Sequence, residues 1–184
     1  YDVDEGSISY NGIPKGNIDL RSLRSVIGDC LSYEELIDGT LLENITMGRK
    51  AATFEKVQEV VKHLGLSQFL KSLPRGYETQ LYPQGRTLQS STVQKLLLAR
   101  AVVESPKLLL LEDPLKSIDQ AERKMIIDYL TSPKHSWSLI AISSDQHLAS
   151  KCDQVAVLNA GKVTAIGTFA QMEKTLDPKL SKNA

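Results

Sequence analysis

The amino-acid sequence predicts an α/β fold in which a mixed, mainly parallel sheet and its helices form a three-layer core. The first observation is a run of four leucines at residues 108–111. This run is too short for a helix and lacks the polar alternation of a one-sided strand, so it predicts a central strand buried on both faces. Apolar runs at residues 25–31 and 138–142 predict two further buried strands. An amphipathic helical pattern at residues 53–64 is the third observation.

The composition is that of an ordinary globular protein. Of the 184 residues, 41% are hydrophobic and 24% are charged, which suits one large domain or one domain with a small lobe. The 22 basic and 22 acidic residues give zero net charge, so no sequence-wide nucleic-acid or membrane-surface footprint is expected. No apolar run approaches the roughly 20 residues of a membrane span, and no signal peptide is expected within these residues. The sequence therefore predicts a soluble chain that binds no nucleic acid.

In the N-terminal region, the sequence predicts short secondary-structure elements. Residues 7–10 alternate like a short strand, and Asn11-Gly12 is typical of a type I′ hairpin turn. A turn and a short helix are predicted within residues 13–24. The strand predicted at residues 25–31 then follows.

A helical lobe is predicted at residues 40–104. Thr53 is a good N-cap, and the helix after it carries an apolar face and ends at Gly65. That face consists of Phe54, Val57, Val60, Val61 and Leu64. A shorter helix is predicted at residues 67–73, ended by Pro74.

In the C-terminal third, the sequence pattern predicts a helix at residues 120–130 and the strand at residues 138–142. A strand pair follows at residues 153–158 and 161–165, joined by a turn at 159–161. A terminal helix is expected at residues 169–176 and a polar tail at 177–184. On this basis the α/β core comprises residues 1–39 and 105–176.

Several other side chains receive structural interpretations. Cys30 and Cys152 lie far apart and fit no ligand spacing, so buried free thiols in a reducing compartment are expected. His63 and His135 have no partner pattern and are predicted to face solvent. Arg100 is predicted to form a structural ion pair.

Two adjacent acids, Glu112 and Asp113, follow the leucine strand. Open α/β sheets bind ligands at the carboxyl ends of their strands. Carboxylates there suit a magnesium ion and a water molecule. The alternative interpretation is a buried strand that ends in a solvated turn.

Short motifs occur along the chain in a consistent order and spacing. They are Gly39-Thr40 with Glu43-Asn44-Ile45, Gly76-Tyr77 with Thr79, Gly85-Arg86-Thr87-Leu88, residues 93–101, and Ser117-Ile118-Asp119. Together they resemble the nucleotide-binding domain of ABC transporters over residues 6–176. Residues 39–45 and 76–79 resemble the exporter subgroup. The resemblance implies a P-loop NTPase-like (RecA-like) fold with a small antiparallel edge and a helical subdomain.

The resemblance also implies roles for the two acids. Glu112 occupies the Walker B position that serves magnesium, and Asp113 occupies the general-base position. The family order is aspartate then glutamate, so here the two lengths are exchanged. An offset of about 1 Å at such positions costs on the order of a hundredfold in rate. Binding is therefore expected to survive where hydrolysis does not.

Other nucleotide-contact positions of the family also carry unusual residues. Ser32 stands at the Q-loop position and Ser144 at the switch-histidine position, whereas Asp119 matches the D-loop. The signature that contacts the nucleotide on a second subunit aligns with Leu88, Gln89, Ser90, Ser91 and Thr92. The two serines replace glycines, so their Cβ atoms obstruct close backbone approach, and a positive φ there would be strained. His147 is expected to be a surface residue.

The Walker A loop of the family has no counterpart in the sequence, which predicts an N-terminally truncated fragment. A sheet lacking that strand is expected to have an exposed edge, marginal stability or self-association. The resemblance implies Mg-ATP as the cofactor of the intact protein, with none bound by the fragment. It implies two partners, a second nucleotide-binding domain in a homo- or heterodimer and a transmembrane domain, at the cytoplasmic face of the membrane.

The sequence leaves three functions open. The first is an ATP-binding domain that couples nucleotide binding to membrane transport with weak or no hydrolysis. The second is a slow but active ABC ATPase that uses Glu112 and Asp113. The third is a non-catalytic pseudo-ATPase that acts as an interaction module.

Overall fold

The computed structural model describes residues 3–82 and 88–172. Predictions on residues 85–87, on the end of the terminal helix and on the tail at 177–184 lie outside this range. The strands are β1 (Ser9–Tyr10), β2 (Ile13–Pro14), β3 (Ile27–Cys30), β4 (Gly39–Thr40), β5 (Gln80–Leu81), β6 (Leu108–Glu112), β7 (Ser138–Ile142), β8 (Val155–Asn159) and β9 (Lys162–Gly167). The helices are α1 (Leu20–Ser25), α2 (Leu41–Thr46), α3 (Phe54–His63), α4 (Ser67–Ser72), α5 (Ser90–Val102), α6 (Gln120–Leu130), α7 (Gln146–Lys151) and α8 (Phe169–Met172).

The central sheet has the strand order β3-β6-β7, and both strand pairs are parallel. The leucine strand β6 is therefore the middle strand, as predicted. Strands β1-β2, β4-β5 and β8-β9 form separate antiparallel pairs. The predicted α/β fold with small antiparallel edges is confirmed.

The prediction that the strands are buried on both faces is wrong. Leu109 and Leu111 are 0% and 2% exposed, and they pack into the core shared with α5 and α6. The opposite face of the sheet is open to solvent: Leu110 is only half-buried, and Ile140 and Ile142 of β7 are 58% and 68% exposed. In the described residues, the core therefore covers only one face of the sheet. The other face is also apolar but remains open to solvent.

Local sequence signals account for the hairpin turn and the helix caps, of which the Asn11-Gly12 turn and the Thr53 cap are predicted from the sequence. Asn11 and Gly12 both have positive φ, 49° and 79°, which is the type I′ geometry of the β1-β2 hairpin. Thr40 and Glu43 form a capping box at the start of α2. Thr53 caps α3, whose valines are buried, but Phe54 is 47% exposed and contacts the edge of Tyr77 instead of joining the buried face.

Helix α5 packs closely against β3. A Cβ atom added to Gly28 would overlap the carbonyl oxygen of Ala101 and would lie 3.0 Å from Pro106 Cγ. Only glycine permits this approach. The packing fixes the loop that follows β3 relative to α5.

Arg100 of α5 is 9% exposed and holds this region together in a way that differs from the prediction. Its guanidinium donates to the carbonyl oxygens of Asn44 (2.8 Å) and Glu35 (3.0 Å) and to Asn44 Oδ1 (3.1 Å). Its partners are carbonyl and amide oxygens, not carboxylates. The predicted ion pair is therefore replaced by hydrogen bonds to α2 and to the loop after β3.

The prediction that His135 faces solvent is also wrong. Its ring stacks on Trp137 at 3.8 Å and meets Tyr129 edge-on at 4.8 Å, and His63 stacks on the same tyrosine at 4.6 Å. Burial lowers the pKa of His135 and raises that of Tyr129 to about 12. These rings join α3 to the connection between α6 and β7. Cys30 is buried and Cys152 half-buried, both as free thiols.

Candidate functional site

The two adjacent acids lie at the carboxyl end of the central strand. Glu112 is the last residue of β6, pairs with Ile142 of β7, and is half-buried. Asp113 is exposed, and its amide donates to the carbonyl oxygen of Ile142 at 2.9 Å. Its φ of 42° is left-handed, a conformation that aspartate tolerates better than most residues. The chain therefore turns sharply between the two carboxylates.

Ser32 and Glu112 are brought together. The Ser32 hydroxyl donates to Glu112 Oε2 at 2.9 Å, and its backbone amide donates to the same oxygen at 3.2 Å. Ser32 follows β3, the parallel neighbour of β6, so the strand pairing accounts for the contact. The two residues are 80 positions apart, and no spacing signal in the sequence indicates that they touch.

Asp113 and Ser144 line one cleft of about 870 Å³. Ser144 is exposed and follows the end of β7. The walls also carry basic side chains that the sequence did not single out, namely Lys116, Arg123 and Lys124. The cleft thus combines one predicted carboxylate, one predicted hydroxyl and cationic groups suited to an anionic ligand.

The signature-like segment leads into helix α5. Leu88 packs against the core, Gln89 is the N-cap, Ser90 begins the helix, Ser91 is half-buried, and Thr92 is 9% exposed. Within the described residues, the Gln89 side chain makes no capping hydrogen bond. Its backbone carbonyl oxygen accepts from the amides of Thr92 and Val93 at 2.9 and 3.1 Å, so of the first turn only the Ser90 and Ser91 amides precede the helical hydrogen bonds.

The expected backbone strain in this segment is not found. The described non-glycine residues with positive φ are Asn11, Met47, Ser105, Asp113 and Ala160, so both serines have ordinary helical backbone. The Cβ atoms of the two serines still add bulk at these positions.

Asp119 acts locally as the N-cap of α6. Its carboxylate accepts hydrogen bonds from the amides of Ala121 and Glu122, both at 3.1 Å. These hydrogen bonds lower the pKa of Asp119, and the bond from the Glu122 amide has the largest effect. The adjacent Ser117 amide donates to Gln94 Oε1 of α5 at 3.0 Å. The turn is therefore tied to both helices.

His147 lies on α7, one turn beyond Ser144, and lines the same cleft. Its Nε2 lies 3.1 Å from Asp128, which also pairs with Lys151 at 2.9 Å. The imidazole is held by a neighbouring helix at the surface, where the sequence predicts it. Its exposed fraction is 30%.

The described residues contain no group of three His, Cys, Asp or Glu side chains that could hold a metal ion by themselves. A magnesium ion requires less from the protein, because it keeps several waters and binds through one or two carboxylates plus phosphates. Glu112 supplies one such carboxylate, and the Ser32 hydroxyl lies beside it, 2.9 Å from Oε2. The residues present therefore fit a magnesium ion that arrives with a nucleotide.

Comparison with known proteins gives a consistent result. The family model described as "ABC transporter" matches residues 1–116. A probable ABC transporter ATP-binding/permease protein of Haemophilus influenzae is 31% identical over 164 residues, which is 89% of this chain and 30% of that protein. A multidrug efflux ATP-binding/permease protein of Mycobacterium bovis is 31% identical over 168 residues, which is 91% of this chain and 14% of that protein.

The fold has a close structural match. A bacterial Atm1-family ABC exporter, solved with ATP bound, superposes with a TM-score of 0.89 at 23% identity, covering 98% of this chain and 32% of that chain. The chain thus spans less than a third of the length of each of these proteins. In residues 3–82 and 88–172, no helix combines the length and apolarity needed to cross a membrane.

Proposed function

Because the chain belongs to the ABC transporter family, as an exporter-type nucleotide-binding domain, we propose that the intact protein binds Mg-ATP here and hydrolyses it weakly or not at all. In this proposal the nucleotide acts mainly as a clamp between two nucleotide-binding domains. Its binding is coupled to a transmembrane domain and so to transport. The domain would lie at the cytoplasmic face of the membrane.

The contact between Ser32 and Glu112 is the observation that supports this proposal best. The two hydrogen bonds to Glu112 Oε2 hold the carboxylate in place, and the other oxygen, Oε1, keeps its lone pairs for a cation. The longer Glu112 side chain is thereby anchored at the sheet edge by the short Ser32. The pair can hold a hydrated magnesium ion, which supports binding.

The same geometry gives little support to hydrolysis. A general base must lie within hydrogen-bond reach of the attacking water. Asp113 is one methylene shorter than glutamate, follows a sharp left-handed turn and is exposed to solvent. Ser144 presents a short hydroxyl at the switch position. Neither residue is placed to fix a water as firmly as Ser32 fixes Glu112.

Each side chain then has a defined task. Magnesium, when bound, neutralises phosphate charge. Glu112 and Ser32 would hold the cation and its waters, and Ser144 would donate a hydrogen bond to an anionic oxygen in the cleft. The amides of Ser90 and Ser91 at the start of α5 would face the nucleotide of a second subunit, because the helix dipole favours negative charge there.

The alternatives differ in how Glu112 and Asp113 are used. A slow but active ATPase needs both carboxylates, so Glu112→Gln would reduce magnesium-dependent turnover. A pseudo-ATPase that supports a competent partner needs neither, and a second nucleotide-binding chain with intact motifs would co-purify with it.

A magnesium titration of the full-length protein tests the proposal. Binding of a fluorescent ATP analogue is measured with and without magnesium in the wild type, Glu112→Gln and Ser32→Ala. The control is Glu5→Gln, an exposed carboxylate ahead of β1. We expect magnesium to strengthen binding to the wild type and the control, and both site variants to lose most of this gain. Equal magnesium dependence in all four proteins would contradict the proposal.

A further inference from the structure

We propose that Arg123 is a positioning residue that ties the turn at residues 117–119 to the loop at residues 143–145, so that Asp119 and Ser144 are held as one unit. Neither the motifs nor the comparisons give Arg123 a role. Only its consequence for nucleotide binding rests on the proposed function.

Arg123 lies in the first turn of α6, and its guanidinium bridges two segments. On one side, Nη2 donates to the carbonyl oxygen of Ile118 at 2.8 Å, and Nε donates to the same oxygen at 3.3 Å. On the other side, Nη1 lies 3.4 Å from Asp145 Oδ2. The planar fork of arginine can serve both acceptors at once, whereas a lysine ammonium on a flexible stem cannot reproduce this geometry.

Asp145 passes the constraint to Ser144. Its Oδ1 accepts from the Leu148 amide at 3.0 Å and so caps α7, while its own amide donates to Ser143 Oγ at 3.1 Å. Ser144 is the residue between these two fixed points. The Asp145 side chain is 16% exposed, so its charge is only partly screened by water.

The turn on the other side is equally well anchored. Ile118 is 2% exposed, Ser117 is bonded to Gln94 of α5, and Asp119 caps α6. The carbonyl oxygen of Ile118 is the acceptor that Arg123 uses. A shift of the loop at 143–145 must therefore stretch a bond to a turn that is itself held by two helices.

The test begins with hydrogen–deuterium exchange in the ligand-free, full-length protein. Arg123→Gln replaces the charged guanidinium with a shorter, neutral amide. Lys124→Gln is the matched control, because Lys124 is the next residue, carries the same charge and lines the same cleft. We expect Arg123→Gln to speed exchange roughly threefold or more at the amides of Leu148 and Ala149, which Arg123 does not itself bond. The control should leave these amides unchanged, and Arg123→Lys should restore part of the protection.

Asp145→Asn supplies the reciprocal test. Asparagine keeps the N-cap of α7 but gives up the charge that faces Arg123. We expect faster exchange at the Ile118 amide, on the far side of the bridge. The double variant with Arg123→Gln should be no worse than either single variant. Effects confined to the helix that carries each substitution, or effects that simply add, would overturn the proposal.

Measuring nucleotide binding in the same variants separates this inference from the proposed function. If the fluorescent ATP analogue binds, Arg123→Gln should weaken its binding by roughly threefold to tenfold and Lys124→Gln by less. If the wild type binds no nucleotide while exchange still shows reciprocal coupling, the proposed function fails and the positioning role stands. If nucleotide binds but exchange shows no coupling, the positioning role fails and the proposed function stands.

Discussion

Replacing Arg100 should strongly destabilise the domain, because its guanidinium is buried and each of its three nitrogens donates a hydrogen bond. The side chain makes three hydrogen bonds to oxygens of Asn44 and Glu35, at 2.8–3.1 Å. Hydrogen bonds to a charged group contribute about 1.5–3 kcal/mol each and do not add fully. Arg100→Met should therefore cost about 4 kcal/mol, since it also leaves buried carbonyl oxygens unpaired.

The assay is thermal unfolding by differential scanning calorimetry. For a domain of this size, about 4 kcal/mol corresponds to a fall in melting temperature of roughly 8–16 °C. Arg100→Lys keeps the charge but not the fork, so its melting temperature should fall by about half as much. Arg21→Met, at an exposed position on α1, is the control. If Arg100→Met melts no lower than the control, the inference that these bonds hold the loop after β3 is refuted.

Three further substitutions probe the backbone and the aromatic cluster. Gly28→Ala should cost about 1–3 kcal/mol or more by urea unfolding, because its Cβ would overlap the Ala101 carbonyl oxygen; wild-type stability would show that α5 can move away. At the left-handed position, Asp113→Ala should be about 1–2 kcal/mol less stable than Asp113→Gly; equal midpoints would contradict the strain. Burial lowers the pKa of His135 below its ordinary 6.5, so the folded state takes up fewer protons than the unfolded state. Melting temperature should fall as pH is lowered from about 8 to about 5, less so in His135→Gln, with Trp137 fluorescence reporting the ring stack; identical pH profiles would rule this out.

The sequence predicts best where a local signal has a local consequence. The Asn11-Gly12 turn, the Thr53 cap and the helix at residues 120–130 form as expected, since each depends on neighbouring residues. The leucine strand is central, as its composition indicates. Its two-sided burial is not realised, because burial depends on what covers each face and not on the strand itself.

The long-range contacts of the site could not be predicted from residue spacing alone. Ser32 and Glu112 meet because β3 and β6 pair in parallel, and no motif encodes that distance. The same holds for Arg100, which binds carbonyl oxygens that every residue carries and that no pattern distinguishes. His135 has no partner at helical spacing, and its stack on Trp137 follows from the path of the connection after α6.

The most direct test of the proposed function measures nucleotide binding and phosphate release on the same sample of the full-length protein with magnesium. We expect saturable binding of a fluorescent ATP analogue with turnover far below the roughly 1 s⁻¹ at which typical enzymes begin. The decisive comparison is Asp113→Asn, which should change neither quantity. Turnover at about 1 s⁻¹ or faster that Asp113→Asn abolishes would contradict the proposed function and establish an active ATPase.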